Sequence, residues 1–336
     1  MSPAASLVGR RPEVAADELL AQLTPPRHFA DASFDSYLPD PAHPSQSAAR
    51  ERLVQVAERL GRPSRRGWLR RPPAPPAVYL DGGFGVGKTH LLAALAHRTP
   101  DAAFGSFVEY THLVGALGFA PTVAALSTRR LVCIDEFELD DPGDTLLMSR
   151  LLRELSDAGV GLAATSNTLP EQLGEGRFAA EDFLREIQAM SDRFEVLRID
   201  GPDYRHRGGG HRLEALDDDV VRQVTSGTPG ATCDDFGALL AHLRTVHPSR
   251  YGALVEGVAT VGLTGVGRAR DQADALRLVS LVDRLYEGDV PVLLGGDADP
   301  VLFDDAMLRG GYRKKYLRAL SRLGALAQDG RGRVAR

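Results

Sequence analysis

Residues Gly82-Gly83-Phe84-Gly85-Val86-Gly87-Lys88-Thr89 constrain this chain more than any other stretch. They fit G-x-x-x-x-G-K-[ST], the pattern of a phosphate-binding loop. Glycines let the backbone curl until successive N–H groups face one anion. The Lys88 ammonium is placed to reach the β- and γ-phosphates of a nucleotide, and the Thr89 hydroxyl to ligate Mg²⁺. The flanks agree with this reading. Val78-Tyr79-Leu80 is a short apolar run before the loop, and Leu91, Leu92 and Leu95 recur at helical spacing behind it. Strand, glycine loop and helix N-terminus in that order aim a positive dipole end at the phosphates. Of the 40 Lys and Arg residues only Lys88, Lys314 and Lys315 are lysines, so a lysine inside this loop is poorly explained as filler.

A second element belongs with the first. Leu131-Val132-Cys133-Ile134-Asp135-Glu136 is an apolar strand ending in two acids. Such an ending is weak alone, but downstream of a full phosphate loop it marks Asp135 as a Mg²⁺ holder and Glu136 as the general base for water. Parallel strands bring their C-terminal ends to one edge, where ligands bind. The strand expected over 161–165 ends at Ser166-Asn167, so Asn167 is a candidate sensor of the γ-phosphate or the lytic water. The alternative is an Asn capping the turn before Pro170. Arg193, in Ser191-Asp192-Arg193-Phe194, is a candidate finger acting on nucleotide held by a neighbouring subunit. Its alternative is a surface ion pair with Asp192 or Glu195. Cys133, in the middle of an apolar run, reads as core filler.

The 336 residues suffice for two domains or one large α/β domain. Residues 1–76 read as an N-terminal arm closing in a basic, proline-rich linker over 61–76, with a helix near 47–60. Residues 77–205 alternate strands, expected at 78–80, 106–110, 131–134, 161–165 and 196–199, with helical patterns. That alternation argues for a parallel sheet covered on both faces. Residues 206–336 alternate again: helical 234–246, an apolar stretch over 254–263, helical 271–286, a strand at 290–294 and a basic helix over 304–326. Asp141, Asp144, Leu146, Leu151, Leu155, Val160 and Pro170 recur at one constant offset as Asp271, Asp274, Leu276, Leu281, Leu285, Val290 and Pro300. The later copy has Gly265 and Val266 where the earlier has Asp135 and Glu136. Either the second half is a duplicate that kept the fold and lost the chemistry, or any two strand–helix–strand units look this similar.

Composition excludes several classes. A net charge of −5 argues against a generic nucleic-acid coat, so nucleic acid is not an expected partner. The linker arginines Arg62, Arg65, Arg66, Arg70 and Arg71 read as a solvated connector, with contact to DNA, acidic lipid or an acidic partner as the other reading. Cys133 and Cys233 form no metal spacing, and without a cysteine framework a reducing compartment is expected rather than secretion. No run of 18 or more apolar residues occurs, so no transmembrane span is expected, while peripheral membrane association stays open. Residues 1–10 lack the long apolar core of a signal peptide.

Cys133-Ile134-Asp135-Glu136-Phe137, Ala164-Thr165-Ser166-Asn167 and Asp203-Tyr204-Arg205 together resemble the signatures of ZapE-type ATPases, which are AAA+-like. The resemblance extends upstream to Ser33-Phe34-Asp35-Ser36-Tyr37 and Pro44-Ser45-Gln46, and downstream through residues 277–286. It implies an α/β fold: a P-loop NTPase (AAA+-like) parallel sheet flanked by helices, with a smaller C-terminal α/β region and an extended N-terminal arm. It further implies hydrolysis of ATP with Mg²⁺, a cytoplasmic location and a homo-oligomer. For the bacterial branch it implies a protein partner in cell division, FtsZ or another component of the division ring. For mitochondrial relatives it implies protein quality control at the inner membrane. A DNA-binding loader resembling initiator-type AAA+ proteins is the alternative, and steeply salt-dependent DNA binding through 61–76 would mark it.

Overall fold

Two sheets of parallel strands organise the computed structural model, each in its own unit: Ala15–Arg207, and Met1–Val14 with Gly208–Arg336. The structure describes residues 5–62, 74–83, 85–137, 142–166, 191–201 and 213–334. In the first unit, α1 (Ala16–Ala21) and α2 (Pro44–Gly61) precede β1 (Ala77–Gly82) and α3 (Lys88–Arg98). Then come β2 (Ala102–Ser106), α4 (Phe107–Leu117), α5 (Phe119–Leu126), β3 (Leu131–Asp135), α6 (Pro142–Asp157), β4 (Gly161–Ser166) and β5 (Glu195–Ile199). The strands pair in the order β2-β3-β4-β1-β5, all parallel.

Both faces of β1, β2, β3 and β4 are buried, as their continuous apolar runs require, whereas in β5 only Ile199 is buried. Successive side chains alternate between two cores. Tyr79, Val132 and Ile134 join Tyr110, Leu113, Met148 and Leu152 on one face. Val78, Leu80, Leu131 and Cys133 join Leu53, Val56, Leu91 and Leu95 on the other.

One strand lies where the sequence reading did not put it. A strand was expected over 106–110, but β2 ends at Ser106 and α4 begins at Phe107. Ser106 Oγ accepts from Glu109 N at 3.3 Å, and Glu109 Oε2 accepts from Ser106 N at 2.6 Å. This reciprocal cap satisfies two helix-end donors and outweighs the strand-like alternation of Phe107 to Tyr110.

In the second unit, α7 (Asp218–Gly227) is followed by β6 (Ala231–Asp235), α8 (Phe236–Leu243), α9 (Tyr251–Leu254), β7 (Thr260–Val266), α10 (Gln272–Glu287) and β8 (Val292–Gly296). The basic helix expected over 304–326 is divided into α11 (Asp305–Arg309) and α12 (Arg313–Val334), parted at Gly310. The first fourteen residues, expected in one arm with the rest of 1–76, group with this unit. Ala5 bridges Thr232 in parallel, Leu7 is buried in the unit's core, and Leu7 N donates to Asp234 Oδ2 at 2.9 Å. His242 secures the same segment, its Nε2 lying 2.9 Å from the Arg10 carbonyl.

This second sheet repeats part of the first. Its order is β6-β7-β8, and a parallel bridge between Leu216 and Gly295 adds a residue beside β8, as β1 lies beside β4. The helices α6 and α10 have 16 residues each and join corresponding strands. Both end alike: Val160 N donates to the Leu155 carbonyl at 3.0 Å, and Val290 N to the Leu285 carbonyl at 2.9 Å. The residues before β2 and β6, Asp101 and Gly230, have φ of 54° and 76°. Even the sheet edges match, since the Leu23 carbonyl accepts from Phe104 N and the Ala5 carbonyl from Cys233 N, each at 2.9 Å.

Candidate active site

The glycine loop leaves the C-terminal end of β1 and enters α3 through Gly87. Two of its glycines have clear causes. A Cβ on Gly82 would overlap the Ile199 carbonyl oxygen of the neighbouring β5. Gly87 has φ of 88°, in the left-handed region that glycine adopts without steric cost. Lys88 is the first residue of α3 and is largely buried. Its Nζ donates to the Gly82 and Gly83 carbonyls at 2.7 and 2.6 Å, curled back over the loop that precedes it. Phe84 falls outside the described residues. Gly85, with φ of 79°, and Val86 complete the turn into Gly87.

The loop and the end of β3 meet. Thr89 Oγ1 donates to Asp135 Oδ1 at 3.2 Å, linking the first turn of α3 to the end of β3. The intervening strand β4 supplies a third member, Thr165, whose hydroxyl donates to the same Asp135 oxygen. Thr165 Oγ1 in turn accepts from Glu136 N at 3.0 Å, and the Thr165 carbonyl accepts from Phe137 N at 2.7 Å. Glu136 has φ of 54°, rare for a residue with a side chain. It breaks the strand's pleat directly after Asp135, so the two acids do not simply alternate across the sheet. Such strain persists where surrounding bonds over-determine it, and the amides on both sides of Glu136 Cα are so fixed.

Thr89 and Asp135 present hard oxygen ligands one hydrogen bond apart, a donor pair that suits Mg²⁺. Beneath them Cys133 is fully buried, and burial, with the nearby Asp135 charge, pushes its thiol well above the usual range. Tyr110 donates its hydroxyl to the Cys133 carbonyl at 3.1 Å and is itself held protonated by burial. Neither group titrates at neutral pH, so the floor of the site is inert.

The remaining candidates divide. Asn167 lies outside the described residues, although β4, which leads to it, ends on the site's edge between β3 and β1. Arg193 is half-buried just before β5 and makes no ion pair among the described residues. Glu195, one of its two expected partners, is gripped by Arg52 instead, through two bonds of 2.8 Å. That hydrogen bonding holds the Glu195 carboxyl below its ordinary range. Thr165 was not singled out from sequence. Its signal was its place in Ala164-Thr165-Ser166-Asn167, one residue beyond the Ile134–Ala164 pair of the β3–β4 ladder.

The family model described as AFG1-like ATPase matches residues 14–215 and 211–333. An uncharacterized protein of Schizosaccharomyces pombe is 30% identical over 174 residues, covering 46% of this chain and 38% of that protein. Cell division protein ZapE of Escherichia coli K12 is 30% identical over 143 residues, covering 39% of this chain and 38% of ZapE. The chain thus matches little more than a third of the length of these curated relatives. Among solved structures, AMPPCP-bound DnaA from Aquifex aeolicus aligns with a TM-score of 0.41 and 14% identity, over 60% of this chain and 56% of DnaA.

Proposed function

This chain belongs to the AFG1-like ATPase family, and from that premise we propose that it couples ATP hydrolysis to the remodelling of a protein partner in cell division. The observation that carries the catalytic reading is the Thr89–Asp135 hydrogen bond, which unites the two halves of the site on one sheet edge. Lys88 and the loop amides bind the β- and γ-phosphates, and Lys88 must leave the Gly82 and Gly83 carbonyls to do so. Thr89 and Asp135 hold Mg²⁺, which when bound neutralises charge on the phosphate oxygens. Thr165 orients the Asp135 carboxylate and ties the Glu136 amide.

Glu136 accepts a proton from water as the water oxygen attacks the γ-phosphorus. The bond from that phosphorus to the β–γ bridging oxygen breaks, so ADP and phosphate leave. Asn167 senses the γ-phosphate, and Arg193, unpaired among the described residues, reaches nucleotide on a neighbouring subunit of a homo-oligomer. The partner is FtsZ or another division-ring component, met in the cytoplasm. In support stands the ZapE likeness.

Phosphate release is the test, measured against protein concentration with and without FtsZ. A rate per chain that rises with concentration supports trans completion by Arg193, and Arg193→Ala then flattens that rise. Stimulation by FtsZ supports the partner. No phosphate release under any condition, with ATP bound, would leave a binding module rather than an enzyme.

A further inference from the structure

A loop that binds phosphate through its amides needs those amides held in place before the anion arrives. Here the holding comes from outside the loop. Tyr37 lies between α1 and α2, is buried, and donates its hydroxyl to the Val86 carbonyl at 3.0 Å. Its ring lies against the next residue, since a Cβ on Gly87 would stand 2.5 Å from Tyr37 Cε2. In a trans peptide the C=O and the following N–H point in opposite directions. Tying the Val86 oxygen to Tyr37 therefore turns the Gly87 N–H away from the tyrosine. The ring and the hydroxyl act on one peptide unit, and the missing side chain of Gly87 is what admits them.

Tyr37 is itself well fixed. Ser33 and Ser36 close a turn on each other, with Ser33 N donating to Ser36 Oγ at 2.9 Å and Ser36 N to Ser33 Oγ at 3.1 Å. His90, two residues after Lys88 on α3, places Nε2 3.0 Å from both Ser36 Oγ and the Ser33 carbonyl. The His90 ring lies 5.8 Å from the Tyr37 ring, centroid to centroid. The Ser33–Tyr37 turn is thus anchored to the first turns of α3 and reaches back to the loop that α3 follows.

We propose that Tyr37 is a positioning residue for the triphosphate: by pinning the Val86 carbonyl it keeps the Gly87 amide turned toward the anion. The inference rests on the nucleotide reading above and extends it to a residue far upstream of the motif. It makes a specific demand. Loss of the hydroxyl must weaken binding of the phosphates themselves, not of the base.

The experiment compares the full-length chain with its Tyr37→Phe variant, which keeps the ring against Gly87 and removes one donor. Affinities are measured for ATP and for inorganic tripolyphosphate, and steady-state kinetics for ATP. The variant is expected to lose about three- to tenfold in affinity for both ligands by the same factor. KM for ATP rises accordingly while kcat stays within about twofold, the pattern of lost ground-state binding. The melting temperature holds within about two degrees. His90→Ala, which loosens the turn and leaves the hydroxyl in place, gives a smaller defect of the same kind. Wild-type affinity in Tyr37→Phe overturns the positioning role, as does a loss confined to ATP with tripolyphosphate unaffected. Failure of the unsubstituted chain to bind either ligand overturns the nucleotide reading instead, and is told apart by that control.

Discussion

The two sheets of this chain share an arrangement and differ at one edge. In the first unit β3 ends in Asp135 and Glu136, beside a glycine loop that opens α3. In the second, β7 ends at Gly265 and Val266, and Leu216 leads through Asp217 straight into α7 with no glycine loop between. There the chain's own Asp218 carboxylate accepts from Gly265 N at 3.0 Å. One backbone feature survives the difference: counted along the strand ladders, where Asp135 pairs with Ser106 and Thr264 with Asp235, Glu136 corresponds to Gly265, one place off the constant sequence offset, and the two have φ of 54° and 61°. Glycine takes that conformation freely, whereas a side chain there costs on the order of 1–2 kcal/mol. At that place the second unit has a glycine and the first an acid. A shared scaffold therefore says little about activity, which resides in a few residues at the strand ends.

The sharpest way to break this comparison is to make the first unit resemble the second. Glu136→Gln is expected to lower kcat by roughly 10²- to 10⁴-fold with ATP binding retained. Glu136→Gly should lose turnover as well, yet gain about 1 kcal/mol of stability by relieving the left-handed backbone. Normal turnover in either variant removes Glu136 as the base.

The next effect lies in the second unit, where Asp283 on α10 bonds Arg318 and Arg322 of α12 at 2.7 and 2.5 Å. Asp283→Ala removes the carboxylate that bonds two largely buried guanidiniums and should cost about 2–4 kcal/mol, read by denaturant melts, with ATP affinity unchanged. Burial by itself would raise the Asp283 carboxyl, but Arg318 and Arg322 outweigh it and hold it below the ordinary range. A depressed folded value means this contribution is complete above about pH 5 and fades as pH falls through the folded pKa. The Asp283→Ala variant should therefore lose less stability than the parent between neutral and acid pH.

Lys88→Ala should weaken ATP binding by about tenfold to a hundredfold, and unaltered affinity would contradict the phosphate cradle. The smallest effect is expected from Asp218→Ala, about 1 kcal/mol from the exposed Gly265 amide, with no change in nucleotide binding. Calorimetry should return one ATP per chain before and after that change. A second site of comparable affinity would end the contrast between the units.

How much of this was legible in the sequence varied by element. The glycine loop and β3 stood out because phosphate chemistry demands particular residue types at fixed spacing. Helices α6 and α10 announced themselves by apolar periodicity. Strand β2 did not, because Ala102-Ala103-Phe104-Gly105-Ser106 carries few residues that favour strands, and its burial comes from neighbours on both faces. The S-x-x-E of Ser106 and Glu109 was the available signal for α4. Thr165 and Tyr37 lie within sequence motifs that carry no local sign of their roles, because their partners, Asp135 and Val86, lie on other elements.

The sequence by itself determined that a phosphate loop and a pair of acids would share one edge, since parallel strands leave no other place for their C-terminal ends. Only the tertiary structure decided what surrounds that edge. It placed Tyr37 behind Gly87, set Thr165 between Asp135 and the Glu136 amide, and returned residues 5–10 to the unit that closes the chain. Local periodicity governs contacts within one element. These others join residues far apart along the chain, and they form only where burial and hydrogen bonding on the folded surface repay the entropy of closing long loops.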